Sequence, residues 1–92
     1  MSVSHEIVIQ QKARRMDINT FVANFAGQFD ETPVDQFTAE TKFREIAEWS
    51  SLIALSIIAM VDDEYDVTLK GDDIAQSTTI RDIFNRVVAK RG

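Results

Sequence analysis

Between residues 17 and 29 the apolar side chains Ile18, Phe21, Val22, Phe25 and Phe29 recur every three or four positions, which places them on one face of a helix. Asp17 is suited to cap that helix, and Met16 and Phe21 stand where a hydrophobic staple would flank the cap. Beyond Gly27 the spacing dissolves. Residues 30–48 hold the only proline, Pro33, and scattered Val34, Phe37, Phe43 and Ile46. So long a connection in a small chain is expected to pack its own side chains or to serve function, with a short helical turn over 39–47. A second helix is predicted over 51–65, and "DVTLKGDDIAQS" follows as a linker with one short helix over 72–76. The last helix starts from a Thr78 or Thr79 cap, buries Ile80, Ile83, Phe84, Val87 and Val88, and ends with Arg86, Lys90 and Arg91, which suit its C-terminal dipole. The pattern predicts an all-α fold, a small irregular four-helix bundle of three main helices and one short one, with a long loop after the first.

The second helix is difficult to orient. From Leu52 to Val61 apolar residues cover nearly the whole circumference, and only Ser56 interrupts them. The charges at its end supply a direction: Asp62, Asp63 and Glu64 centre on one side that must face water, so Ala54, Ile58, Val61 and Tyr65 are expected to face the core, with Ile57 at the edge of that set. Leu52, Leu55, Ser56, Ala59 and Met60 then point outward or obliquely as an apolar strip. Such a strip is either a contact surface for a partner or is covered by the long loop. The expected core comprises Phe21, Phe25, Ile46, Ala54, Ile58, Val61, Tyr65, Ile80 and Phe84.

Composition narrows the class. The chain has 92 residues, 45% of them apolar, enough for one compact domain of modest stability. Its longest apolar stretch, 52–61, is about half of a bilayer crossing, so no membrane span is expected. Cysteine is absent, which excludes disulfides and fits a reducing, cytoplasmic location. The first fifteen residues carry Glu6 against Lys12, Arg14 and Arg15, a net of +2; with −5 for the whole chain, residues 16–92 carry −7. An acidic body of this kind repels phosphate backbones and favours partners with basic patches, which makes DNA or RNA an unsuitable ligand. Residues 1–15 read as an N-terminal extension, expected to be poorly ordered, and 16–92 as the helical domain, expected to be a monomer.

The candidate chemistry lies at the two ends of the second helix. "EWSSL" places Ser50 at an N-cap and Ser51 at the first helical position, where unpaired amide N–H groups and a partial positive charge would stabilise a phosphodiester. As nucleophiles of a hydrolase these serines lack support: the only histidine, His5, lies in the extension, and no GxSxG surrounds them. Taken alone, the pair also reads as two capping residues. At the far end, Asp62, Asp63, Glu64 and Asp66 oppose the helix dipole. Attraction of a basic partner explains both their exposure and their position. The acidic runs have neither EF-hand spacing nor its glycine, so no metal site is expected.

The order of these elements resembles acyl carrier proteins, the family of phosphopantetheine-binding carriers. "FREIAEWSSL" is similar to the segment leading into that family's Asp-Ser-Leu motif, "MVDDEYDVTL" to the acidic end of its second helix, and "STTIRDIF" to its last helix. The resemblance implies that Ser51 receives a covalent 4'-phosphopantetheine arm from a phosphopantetheinyl transferase, with Ser50 flanking it as the cap. The chain would then be no enzyme, but would carry thioester-bound acyl intermediates in fatty acid or related specialised biosynthesis. Leu52, Ile53, Leu55, Ser56, Ala59, Met60, Asp62 and Asp63 would form the docking surface for acyl-transferring and chain-elongating enzymes with basic patches. Ser50 replaces the family's aspartate, and Ile53 and Ser56 stand where many members carry acids, so docking here would lean on apolar contact and the distal carboxylates. Trp49 is expected to pack between loop and bundle. The competing class is an unmodified carrier-like domain that uses the apolar face of the second helix to bind another protein or a second copy of itself.

Overall fold

The computed structural model describes residues 16–91. Helix α1 is Ile18–Ala26, α2 Ser51–Tyr65, α3 Gly71–Ala75 and α4 Ile80–Arg91. Two 3₁₀ turns, Val34–Gln36 and Phe43–Glu45, lie in the loop between α1 and α2. No strand occurs among the described residues, so the all-α bundle expected from the sequence is what forms. The extension read at residues 1–15 lies outside the described residues.

Each main helix starts where its cap residue allows it to. Asp17 accepts from the N–H and hydroxyl of Thr20 at 3.2 and 2.9 Å, and Met16 packs on the core beside it. At α4, Thr79 Oγ1 accepts from Asp82 N–H at 3.2 Å while Asp82 returns a carboxylate oxygen to the Thr78 and Thr79 amides at 2.9 and 3.0 Å. That is a reciprocal cap. The remaining amides of this turn are used as well: Ile80 donates to Thr41 and Arg81 to Ala39, which ties the long loop to α4.

Phe21 and Phe25 of α1 are fully buried and α1 packs against both α2 and α4. The long loop contributes to the core itself. Phe43 is fully buried and Phe37 nearly so, and tilted ring pairs run from Phe21 through Phe25, Phe29 and Phe43 to Trp49 with centroids 4.9 to 6.4 Å apart. The sequence anticipated a turn in this loop but counted neither Phe37 nor Phe43 as core. Val67 and Leu69 of the linker before α3 are also buried.

Helix α2 is rotated from its expected setting. Val61 and Tyr65 are buried as expected, but Ile57 and Met60 join them, while Ala54 and Ile58 are only half-buried. The core-facing arc is turned by about 60° on a wheel of 100° per residue. A helix apolar on nearly every side has no preferred face of its own, so the position of α1 decides which residues are covered. Three further expectations change with packing: Phe84 and Ile46 are half-buried rather than central, and Val88 is 39% exposed, outside the buried stripe of α4.

Helix α3 is held at both ends. The Arg44 guanidinium donates to the carbonyls of Ile74 and Ala75 at the end of the helix and of Ser77 just beyond it. Buried Asp73 accepts from the Lys70 N–H at 2.8 Å and pairs with Arg86 and Lys90 of α4 at 3.1 and 3.3 Å. The hydrogen bond from the Lys70 amide does most to lower the pKa; burial works against it, and Lys90 and Arg86 add to the lowering, so Asp73 stays ionised below the usual carboxylate range.

Two outcomes follow from this packing. Phe43→Ala should cost about 3 to 5 kcal/mol, comparable with the whole stability of a domain this size, so a thermal melt should find it largely unfolded; an ordinary surface-loop change would cost under about 0.5 kcal/mol. Because the folded pKa of Asp73 is depressed, its contribution is present above the unfolded aspartate value near about 3.9 and fades as pH falls through the folded one. Asp73→Asn should therefore lower stability by about 1 kcal/mol at pH 7, with the difference from wild type shrinking in melts taken at successively lower pH beneath the ordinary aspartate range.

Candidate functional site

The first turn of α2 is open to solvent. Ser50 caps it in extended backbone, φ −158° and ψ 172°, and its Oγ accepts from Ile53 N–H at 3.3 Å. Ser51, the first helical residue, is exposed, and Leu52 beside it is 75% exposed. Among the described residues, neither the Ser51 hydroxyl nor the Ser51 and Leu52 amides have a protein partner. The first turn contains no acidic residue. An exposed hydroxyl, two open N–H donors and the positive end of a fifteen-residue helix form a suitable seat for an anionic phosphodiester.

The chain entering this turn is fixed from two sides. Trp49 packs at a tilt against Phe43 and Phe29, with centroids at 4.9 and 6.4 Å. Its expected place between loop and bundle is therefore the observed one. Glu48 gathers the amides of Asp30, Glu31 and Thr32 and the Thr32 hydroxyl onto its two carboxylate oxygens at 2.7 to 3.2 Å. Desolvation pushes its pKa upward, but the Thr32 hydroxyl and the three amides together outweigh it and hold the group below its ordinary value. Nothing in the sequence pointed to Glu48. A carboxylate between Ala47 and Trp49 looks like solvated surface until the loop carrying residues 30–32 is folded against it.

Along α2 the structure separates the predicted docking residues. Leu55 is 61% exposed and Ala59, Asp62 and Asp63 are exposed with it, so the strip from Ser51 to the acidic end exists and the long loop does not cover it. Ile53 and Ser56 are half-buried on the flank nearest α1, where Gly27, Gln28 and Asp30 make the other wall of a shallow groove. Met60 is a correction: at 7% exposure it packs in the core and offers little to a partner, because the rotation of α2 carries it inward. At the far end Asp66 closes the helix in the left-handed region, φ 57° and ψ 42°, and Arg91 of α4 donates to the Tyr65 carbonyl at 3.1 Å. That cation partly offsets the carboxylates crowded against the negative end of the dipole.

The model of the phosphopantetheine attachment site family matches residues 19–87, about three quarters of the chain, including all of α2 and α3 and most of α1 and α4. The chain belongs to the phosphopantetheine attachment site family. It is therefore a carrier that takes 4'-phosphopantetheine covalently and works with transferases and biosynthetic enzymes, rather than a catalyst in its own right. No curated protein and no solved structure matches the chain significantly. No helix among the described residues is long and apolar enough to cross a membrane, and no group of His, Cys, Asp or Glu there could hold a metal ion.

The cap has a measurable share in this geometry. Ser50→Ala, which deletes the acceptor of the Ile53 amide, should lower stability by about 1 kcal/mol in denaturant titration without changing helix content, the usual cost of losing an N-cap oxygen.

Proposed function

We propose that Ser51 is the residue that carries the 4'-phosphopantetheine arm, and that the holo protein shuttles acyl groups as thioesters in fatty acid or related specialised biosynthesis in the cytoplasm. What supports Ser51 over its neighbour is the different employment of the two hydroxyls. Ser50 Oγ is committed to the Ile53 amide, whereas Ser51 Oγ is exposed and without a protein partner among the described residues. In attachment, Ser51 Oγ forms a bond to the phosphorus of coenzyme A. The phosphoanhydride bond breaks, adenosine 3',5'-bisphosphate leaves, and the hydroxyl proton passes to a base of the transferase. The Ser51 and Leu52 amides and the helix dipole then face the negative phosphodiester. The arm supplies the thiol that the chain's own residues lack.

Docking is assigned to Leu52, Leu55 and Ala59 for apolar contact and to Asp62 and Asp63 for attraction of basic patches, with Ile53 and Ser56 at the margin. Incubating apo protein with a broad-specificity phosphopantetheinyl transferase and coenzyme A should add one arm by intact mass to wild type and Ser50→Ala and none to Ser51→Ala. Label lost in Ser50→Ala alone would move the site by one residue, and an unmodified wild type would favour the unmodified interaction domain.

A further inference from the structure

One side chain joins the loop after α1 to the chain that enters α2. Glu48 Oε2 accepts from Asp30 N–H at 2.7 Å, and its two oxygens divide the Glu31 and Thr32 amides and the Thr32 hydroxyl between them. Successive amides turned toward one anion form a concave nest of the kind that receives phosphates and carboxylates. Here the chain supplies its own occupant. The placement is what matters: Glu48 stands two residues before the Ser50 cap and three before Ser51, and the intervening Trp49 is packed on Phe29 and Phe43. Ser50, Ser51 and Leu52 are all exposed and receive little packing of their own. Their orientation must come from the chain behind them. A fraying first turn would spread the Ser51 hydroxyl over many directions, and only some of these suit attack at phosphorus.

We infer that Glu48 is a positioning residue for phosphopantetheine attachment: by fastening residues 30–32 to the approach of α2 it holds the exposed first turn in the orientation the transferase binds. It touches no reacting atom. The inference rests on Ser51 as the acceptor. Loss of the clamp lowers the population of the competent turn, which raises the apparent dissociation constant for the transferase while leaving the chemistry of the bound complex largely intact.

The test uses the apo chain with a transferase and coenzyme A, comparing wild type, Glu48→Ala, Glu48→Gln and Asp73→Asn below their melting temperatures, with amide hydrogen exchange on each free protein. Glu48→Ala should raise KM for the carrier about tenfold with kcat within about twofold, and should speed exchange at Ile53 and Ala54, the first amides bonded within α2. Glu48→Gln retains one acceptor oxygen and should fall between; it also carries the comparison if the alanine variant does not fold. Asp73→Asn, which loosens α3 against α4, should leave KM unchanged. Unchanged KM in both Glu48 variants would reduce Glu48 to a loop cap and overturn the inference. So would a raised KM with unaltered exchange at Ile53 and Ala54, since that pattern means direct contact with the transferase. An unlabelled wild type, or label kept in Ser51→Ala, would sink the Ser51 assignment and this inference together, whereas label on Ser51 with a flat Glu48 series would sink this one alone.

Discussion

The first turn of α2 is open to solvent, while the chain leading into it is fastened on both sides. A helix end exposed in this way gains almost nothing from packing, so its position is set by the residues just before it. Phe43 and Trp49 supply the energy through apolar burial against Phe25 and Phe29, and Glu48 supplies direction through hydrogen bonds to residues 30–32. The long loop is for this reason part of the core rather than a tether. Its rings fill the space between α1 and the start of α2, and its backbone carbonyls at Ala39 and Thr41 complete the first turn of α4.

The electrostatics of α2 complement that arrangement. Its N-terminal turn carries no acid, and the closest carboxylate in sequence, Glu48, has its oxygens turned to amides and a hydroxyl instead of toward an incoming phosphate. At the other end, Asp62 and Asp63 project into solvent although they oppose the dipole, and Arg91 from α4 offsets part of that cost at the Tyr65 carbonyl. One helix thus presents an anion-accepting tip and an anionic tail, joined by the exposed side chains of Leu52, Leu55 and Ala59. In the function proposed above these are the place for the arm, the surface for apolar contact and the charge that draws basic partners.

Helices α3 and α4 show a different use of charge. Asp73 is buried with a backbone amide and two cations around it, and Arg44 reaches from the long loop to the carbonyls at the end of α3. A five-residue helix is too short to hold itself, so polar contacts from both neighbours define where it lies.

Much of this was legible along the chain, because local rules act on residues close in sequence. The periodicity of Phe21 and Phe25, the Asp17 cap, the threonine cap before Ile80 and the serine pair opening an apolar helix all depend on spacings of three or four residues, and each is found in the fold. Four features were decided only by tertiary structure. Helix α2 is apolar nearly all round, so contact with α1 turned Ile57 and Met60 inward and left Ala54 half-covered. Phe37 and Phe43 have no helical or alternating neighbours to mark them as core. Arg44 and Glu48 read as solvated charges until chain segments about thirty and sixteen residues away in sequence arrive beside them. The sequence by itself determined which segments become the main helices and where each of those three begins. Which face of α2 is buried, and what holds its open end in place, followed from contacts between segments far apart in the chain, which no local pattern encodes.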